Sequence, residues 1–135
     1  MPTVLRGEHH YELVEEALRE LVENKDTPEV FVPYNYSSNA AEIQHVIVTG
    51  ASYLFGFTAT NVNAAARFVQ IFDTDKTVAN GAVPNISVSA AATNNVSGLW
   101  VPPRRMDRGI VIAASTTQNT LTLASAEHLF DVQYV

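Results

Sequence analysis

The residues best suited to chemistry lie in the stretch EHHYE, residues 8–12, where two histidines stand between two glutamates. Imidazole and carboxylate groups bind zinc, and a helix would place His9 and Glu12 on one face. The adjacent histidines, however, would point about 100° apart on that helix and could not both bind one ion. We interpret the stretch as a solvated first helical turn, in which acidic groups interact favourably with the helix dipole. No metal or other cofactor is predicted.

Two further histidines, His45 and His128, are each isolated in the sequence. Either could pair in space with an acid and a serine, but a catalytic triad is defined by geometry and not by sequence position. The chain contains no nucleophile elbow, P-loop, dinucleotide-binding fingerprint or HExxH motif. It also has no cysteine, which excludes disulfides, thiolate catalysis and cysteine-bound zinc. We predict that the protein is not an enzyme.

The main cluster of cationic side chains lies in WVPPRRMDRG, residues 100–109. The two prolines predict a stiff, exposed loop, and tryptophan and arginine are enriched at protein interfaces. A solvated loop without a partner is the alternative interpretation for any single arginine. The residues predicted to contact a partner are Trp100, Arg104, Arg105 and Arg108.

One arginine, Arg67 in ARFVQIFD, stands at the start of an otherwise apolar strand. Strand alternation puts its side chain on the same face as Val69 and Ile71. Its aliphatic stem can lie on apolar surface while the guanidinium group reaches a carboxylate such as Asp73 or Asp75. An unpaired buried arginine would be very costly, so a partner or solvent is required. We interpret Arg67 as a structural residue and not a catalytic one.

The composition is that of one globular domain: 135 residues, 47% hydrophobic and 16% charged. No apolar run approaches the length of a transmembrane helix. Residues 1–29 contain eight acidic and three basic side chains, whereas residues 30–135 contain six acidic and five basic ones. An acidic chain with a nearly neutral body is poorly suited to binding phosphates. We predict neither nucleic-acid binding nor membrane binding.

The N-terminal residues 1–29 are predicted to form an acidic helical arm. Between residues 8 and 24 the apolar side chains follow the three- and four-residue spacing of one buried helical stripe. Pro28 ends the helix because the residue before a proline disfavours helical geometry. A helix of this length is marginal alone, so the stripe must pack on the chain's own body or on a neighbouring subunit. The stripe residues taken as interface candidates are Tyr11, Val14, Leu18 and Leu21.

Residues 30–135 are predicted to form an all-β domain, an antiparallel β-sandwich or jelly roll preceded by the N-terminal amphipathic helix. Short runs rich in Val, Ile, Thr, Phe and Tyr alternate with clusters of Asn, Ser, Gly and Pro, as in sandwiches and jelly rolls. Strand order does not follow from the sequence. The predicted strands span residues 30–36, 42–48, 52–60, 66–73, 85–90, 98–101, 109–115, 120–124 and 129–135.

Within this domain the strand TNVNAAARFVQIFDT, the later strand NISVSA and the segment GIVIAASTTQNTLT resemble a group of small β-sandwich proteins of tailed bacteriophages. The resemblance covers roughly residues 45–124. It implies a virion structural role, as a capsid decoration protein or a tail- or neck-associated component. The matching positions are Asn61, Asn63, Arg67, Phe68, Val69, Phe72, Asp73, Pro84, Gly109, Ala113, Ser115 and Thr116.

Together these observations lead to the hypothesis of a non-enzymatic virion protein, assembled in the host cytoplasm. Its expected partners are further copies of itself, in a homotrimer, and the major capsid protein or another virion protein. The alternative is a tail- or neck-associated module that binds a receptor or a carbohydrate, since jelly rolls also serve as lectins. That alternative requires an aromatic platform, for which Trp100, Tyr36 and Tyr53 are the candidates.

Overall fold

The computed structural model describes residues 33–135. The predicted helical arm, including Tyr11, Val14, Leu18 and Leu21, lies outside the described residues. Every regular element in the described part of the chain is a β-strand, as predicted, and no helix there could span a membrane. The eight strands are β1 (Tyr34–Ser37), β2 (Gln44–Thr49), β3 (Ser52–Asn61), β4 (Arg67–Phe72), β5 (Ile86–Ala90), β6 (Asn95–Met106), β7 (Gly109–Ser115) and β8 (His128–Tyr134).

The strands form two antiparallel sheets, sheet I with the order β1-β8-β3-β6 and sheet II with the order β2-β7-β4-β5. The first strand pairs with the last, the second with the seventh, the third with the sixth and the fourth with the fifth. A long antiparallel ribbon folded over on itself gives this pattern, and the β3–β8 and β4–β7 pairs then complete the two sheets. This is the strand order of an eight-stranded jelly roll.

The core lies between the sheets and consists of their inward-facing side chains. Sheet I contributes Phe57 and Phe130, and sheet II contributes Ile71 and Ile112, all almost fully buried. The segment GIVIAAS, predicted to be a central strand or a subunit-interface strand, is β7, a central strand of sheet II between β2 and β4. All seven of its residues are buried, which explains why its sequence shows no alternation of apolar and polar types.

The segment of residues 100–106, predicted as a loop, belongs to strand β6 instead. Arg104, Arg105 and Met106 pair with β3, whereas residues 100–103 form an irregularity in the pairing, and the peptide bond between Val101 and Pro102 is cis. Prolines are tolerated because β6 is an edge strand, where one side of the backbone has no neighbour to which it must donate. Only Asp107 and Arg108 remain outside the strands, as the turn into β7.

The predicted strand 120–124 is also wrong, because this segment forms only an isolated bridge between Ser115 and Leu123. It belongs to a layer of two connecting segments, residues 74–85 and 116–127, that covers the outer face of sheet II. Leu121 pairs with the other segment of the layer through backbone bonds to Gly81 and Ala82. Its side chain packs with Val111 and other outward-facing apolar groups of sheet II. The apolar residues that predicted a strand therefore form a second, smaller core.

Candidate functional site

Arg67 is half-buried at one end of the jelly roll and forms an ion pair with Glu127. Its Nε donates to Glu127 Oε2 at 2.8 Å, and the Asn63 side-chain amide donates to the other carboxylate oxygen at 2.8 Å. The predicted partners, Asp73 and Asp75, are wrong, since they follow β4 at its opposite end. Glu127 lies 60 residues further along the chain and reaches Arg67 because β8 begins at the same end of the molecule as β4.

The same end contains two fully buried polar side chains, Asn61 and His128. The Asn61 amide donates to the backbone carbonyls of Ala65, Ala90 and Ala91, so it ties β3 to the end of sheet II. The His128 ring stacks on Phe130, and neither of its nitrogens makes a hydrogen bond to the described residues. Burial lowers the pKa of His128, Glu127 opposes this effect and Arg67 reinforces it. His128 is therefore a neutral core residue.

The second histidine, His45, belongs to a polar network that joins β1 of sheet I to β2 of sheet II. Tyr36 donates to Glu42 at 2.6 Å, His45 Nδ1 lies 2.9 Å from the same carboxylate, and the Tyr36 and His45 rings are stacked at 3.9 Å. Burial, with a smaller contribution from Glu42, raises the pKa of Tyr36. Burial also tends to raise the pKa of Glu42, but donation from Ser38, Tyr36 and His45 outweighs it and leaves that pKa below its usual value.

This network contains a serine, a histidine and an acid, but not in the geometry of a hydrolase. Ser38 and His45 both bind Glu42, and no hydrogen bond joins Ser38 to His45. A serine nucleophile needs a base within hydrogen-bond reach, and a carboxylate with a lowered pKa is a weak base. Within residues 33–135, moreover, no group of three His, Cys, Asp or Glu side chains is placed to hold a metal ion. The network joins the edges of the two sheets.

Asp73 holds the turn between β6 and β7. Its two carboxylate oxygens accept hydrogen bonds from the backbone N–H groups of Asp107 and Arg108, at 3.0 and 2.8 Å. Burial opposes ionisation, but these bonds and one from the Gly109 N–H lower the pKa of Asp73. Gly109 has φ of +156°, and a Cβ there would clash with the carbonyl oxygens of Val48 and Thr74. The aspartate and the glycine are therefore parts of one turn.

The residues predicted as a contact loop point in different directions. Trp100 packs on Phe57 toward the core, with ring centroids 5.9 Å apart. The Arg105 guanidinium lies 5.6 Å from the Tyr53 ring and binds Asp107 at 3.1 Å. Arg104 reaches a backbone carbonyl beside sheet II, whereas Arg108 contributes its backbone N–H to the Asp73 turn. The candidate aromatic platform is likewise absent, because Trp100, Tyr36 and Tyr53 each pack with a different partner.

Two side chains that the sequence analysis did not single out are the most exposed apolar groups of strand β6. Leu99 is 77% exposed and Val101 is 86% exposed, and we call this pair the β6 apolar strip. Alternation along the strand directs Trp100 inward and these two neighbours outward. This alternation is visible in the sequence. It was not recognised because the predicted strand covered only residues 98–101 and residues 100–109 were interpreted as a loop.

The outward-facing residues of sheet I form an open surface, which we call the polar face. In one row across the strands Ser37 lies opposite Asp131, and Asp131 lies opposite Thr58. In the next row Asn35 lies opposite Gln133. Hydrogen bonds link these side chains, including Ser37 to Asp131 at 2.9 Å and Gln133 to Asn35 at 2.6 Å. A cavity of about 470 Å³ lies on this face, over β1, β8 and β3.

Comparison with known proteins gives few matches. No protein-family model matches the chain, and no curated protein matches it. Among solved structures, the coat protein of Tobacco streak virus is similar with a TM-score of 0.32 and 9% sequence identity, over 76% of this chain and 85% of that chain. A similarity at this level does not bear on what the present chain does.

Proposed function

We propose that the chain is a non-enzymatic structural protein of a bacteriophage virion, a capsid decoration protein that self-associates and docks on the major capsid protein. The observation that carries the proposal is the exposed β6 apolar strip on the edge of a jelly roll, a fold used by capsid proteins. The resemblance of residues 45–124 to small β-sandwich proteins of tailed bacteriophages supports the same role.

The β6 apolar strip is suited to contact between subunits. Full burial of a leucine or valine side chain stabilises an interface by about 1.5–3 kcal/mol, so Leu99 and Val101 would both favour association. The prolines of β6, Pro102 and Pro103, lack N–H groups and disfavour the addition of another strand along that part of the edge. Association through side chains in a closed oligomer fits this edge better than open strand pairing.

We propose a homotrimer, in which the β6 apolar strip of each copy contacts the next copy. The stripe residues of the predicted N-terminal arm, Tyr11, Val14, Leu18 and Leu21, would add contacts between subunits or to the capsid. A closed ring of three subunits lets each copy present the same surface to a partner with matching symmetry.

The roles of the polar clusters support a non-enzymatic function. Within the described residues, Arg67 and Glu127 hold one end of the jelly roll, and Asp73 holds the turn at the other. Tyr36, Glu42 and His45 join the two sheet edges. Each of these groups thus has a structural partner.

Mass spectrometry of purified virions from the phage that encodes this chain tests the proposal. We expect peptides of the chain in the particle fraction, at a copy number that is a fixed fraction of the major capsid protein. Full-length chain added to particles that lack it should bind until the same ratio is reached. Its absence from purified particles, or presence only in trace amounts, would overturn the proposed function.

Light scattering on the purified chain tests the surface that carries the proposal. Val101→Lys introduces a charge in the β6 apolar strip and should shift the trimer toward monomer by at least tenfold in dissociation constant. Val83→Lys is the matched control, since Val83 is 74% exposed but lies in the layer over sheet II. Equal behaviour of the two variants would exclude the strip as the subunit contact.

A further inference from the structure

We infer that the polar face of sheet I binds a neutral saccharide in the cavity over β1, β8 and β3. This site is separate from the β6 apolar strip and does not depend on the virion role. It also differs from the aromatic platform expected from the sequence, because neither Trp100, Tyr36 nor Tyr53 lines the cavity.

The shape of the site follows from the residues opposite one another in the sheet. One row of the face contains Ser37 of β1, Asp131 of β8 and Thr58 of β3. In the next row Leu129 of β8 lies opposite Thr60 of β3, beyond the last residue of β1. Side chains of both rows line an open hollow of about 470 Å³, a volume within the roughly 300–1,000 Å³ typical of small-ligand sites.

The site carries hydrogen-bonding capacity that its internal contacts leave available. Each Asp131 oxygen accepts one bond, from Ser37 or from Gln133, and a carboxylate oxygen can accept two. Within the described residues, the Gln133 side-chain oxygen and the Thr60 hydroxyl have no hydrogen-bond partner. Thr58 and Ser97 share one hydrogen-bonding proton at 2.9 Å, which leaves the second hydroxyl proton available. These acceptors and hydroxyl protons can pair with the hydroxyl groups of a ligand, which both donate and accept.

The charge of the site selects among hydroxyl-rich ligands. Asp131 is the one charged residue among those that line the cavity, and none of the lining residues is cationic. A phosphorylated or carboxylated sugar would therefore meet repulsion without a compensating cation. Leu129 is 36% exposed and offers an apolar surface to the C–H groups of a sugar ring. Since no aromatic ring stacks on the ligand from an outward position, we expect millimolar affinity.

The internal network prepares the site for binding. Ser37 and Gln133 hold the Asp131 carboxylate from two sides, and Asn35 in turn binds both of these residues. Side chains that are already fixed lose less conformational entropy when a ligand arrives. The outer face of sheet II offers no comparable site, since its own connecting segments cover it.

Saturation-transfer difference NMR with the full chain tests this inference, because the method detects weak binding to assemblies of any size. The probes are lactose, maltose, glucose and N-acetylglucosamine, with glucuronate as the anionic comparison. We expect saturable signals from at least one neutral sugar, and signals at least threefold weaker from glucuronate than from glucose.

Two variants locate the binding on the polar face. Thr58→Val keeps the β-branched shape and removes a hydroxyl, and Asp131→Asn removes the charge; each should weaken the signals at least fivefold. Ser89→Ala, at an exposed position of β5, is the control and should leave them unchanged. Absence of signal from every sugar, or equal signals from the wild type and both variants, would overturn the inference. Saturable binding of ethylamine but of no sugar would assign the cavity to a cationic group and would overturn it as well.

Discussion

The outer faces of the two sheets differ in chemistry and in what lies over them. On sheet II the outward residues Phe72, Val111 and Ala113 are apolar, and the connecting segments 74–85 and 116–127 cover them. On sheet I the outward residues Thr58, Asp131 and Gln133 are polar, and the described part of the chain leaves them accessible at a cavity. The jelly roll therefore has one face completed by its own chain and one face available to a ligand.

The covering layer is held by side-chain amides as well as by apolar contact. Gln44 forms two hydrogen bonds with the backbone of Val78, at 2.9 and 3.1 Å. Gln70 donates to the carbonyls of Thr117 and Gln118 at 2.8 and 2.9 Å. Buried backbone groups of a connecting segment need such partners, because they have no strand neighbour to satisfy them. The glutamines allow the layer to lie flat on a sheet without joining it.

The largest expected difference between the two faces is in the stability that is lost when a leucine is replaced by alanine. Leu121→Ala should reduce the free energy of unfolding by about 2–5 kcal/mol, because Leu121 is 1% exposed beneath the covering layer. Leu129→Ala on the polar face should cost less than about 1 kcal/mol, since Leu129 is partly exposed already. Urea unfolding of both variants measures the difference. Similar losses in the two would mean that the layer does not form a second core.

Two glutamines provide the next comparison. Gln70→Leu removes one of two side-chain donors to each of the Thr117 and Gln118 carbonyls, which keep bonds from Ser115 and Ser87. It should cost about 0.5–1.5 kcal/mol, the net contribution of a typical hydrogen bond. Gln133→Leu, on the polar face, should change stability by no more than about 0.5 kcal/mol. Hydrogen exchange should also accelerate in residues 116–122 of the first variant alone. Unchanged exchange there would contradict the role given to Gln70.

The next prediction concerns the effect of low pH on stability, which depends on the buried His128 and not on the outer faces. The pKa of His128 is lowered in the folded protein, so below the ordinary histidine value of about 6.5 the unfolded chain binds a proton that the folded chain does not. Stability should therefore fall as the pH drops from about 6.5 toward 5, by at most about 1.4 kcal/mol per pH unit. Glu42 and Asp73, whose pKa values are also lowered, act only at lower pH, as they become protonated.

His128→Leu is the control for this pH dependence. The variant should lose less stability than the wild type between about 6.5 and 5, because it lacks the buried imidazole. Thermal unfolding at half-unit pH steps gives the comparison. A wild-type protein with constant stability over this range would show that His128 takes up its proton without disturbing the core.

The smallest expected effect is that of Asp131→Asn. Asp131 stands on the polar face, where its hydrogen bonds to Ser37 and Gln133 compete with water. We expect a change of no more than about 0.5 kcal/mol in unfolding free energy and an unchanged melting curve. A loss comparable to that of Gln70→Leu would indicate that the hydrogen bonds of Asp131 stabilise the fold itself.

Local patterns predicted the strands well, whereas contacts between distant residues escaped prediction. β7 is predicted to the residue, because its turn glycine and its apolar run define both ends. Leu121 and Leu123 belong to a segment whose composition is typical of a strand. Only its position over sheet II shows that the segment covers that sheet. The partner of Arg67 could not be predicted, because the sequence contains many acidic residues. Only the strand order brings Glu127 close to Arg67.

The polar face escaped prediction for a related reason. Thr58, Asp131 and Ser37 are unremarkable at their own positions, and each occupies an outward place that any polar residue can fill. They become neighbours only when β8 is inserted between β1 and β3. A site made of one residue from each of several strands leaves no spacing in the sequence that could reveal it.

The position of β8 between β1 and β3 also has a consequence for the order in which the two sheets can form. Tyr36 of β1 and Phe57 of β3 are far apart in the sequence, and both pair with Val132 of β8, which follows the other seven strands along the chain. Sheet I, with the polar face, can therefore be completed only after β8 has been synthesised, whereas the four strands of sheet II all precede β8 and can associate first.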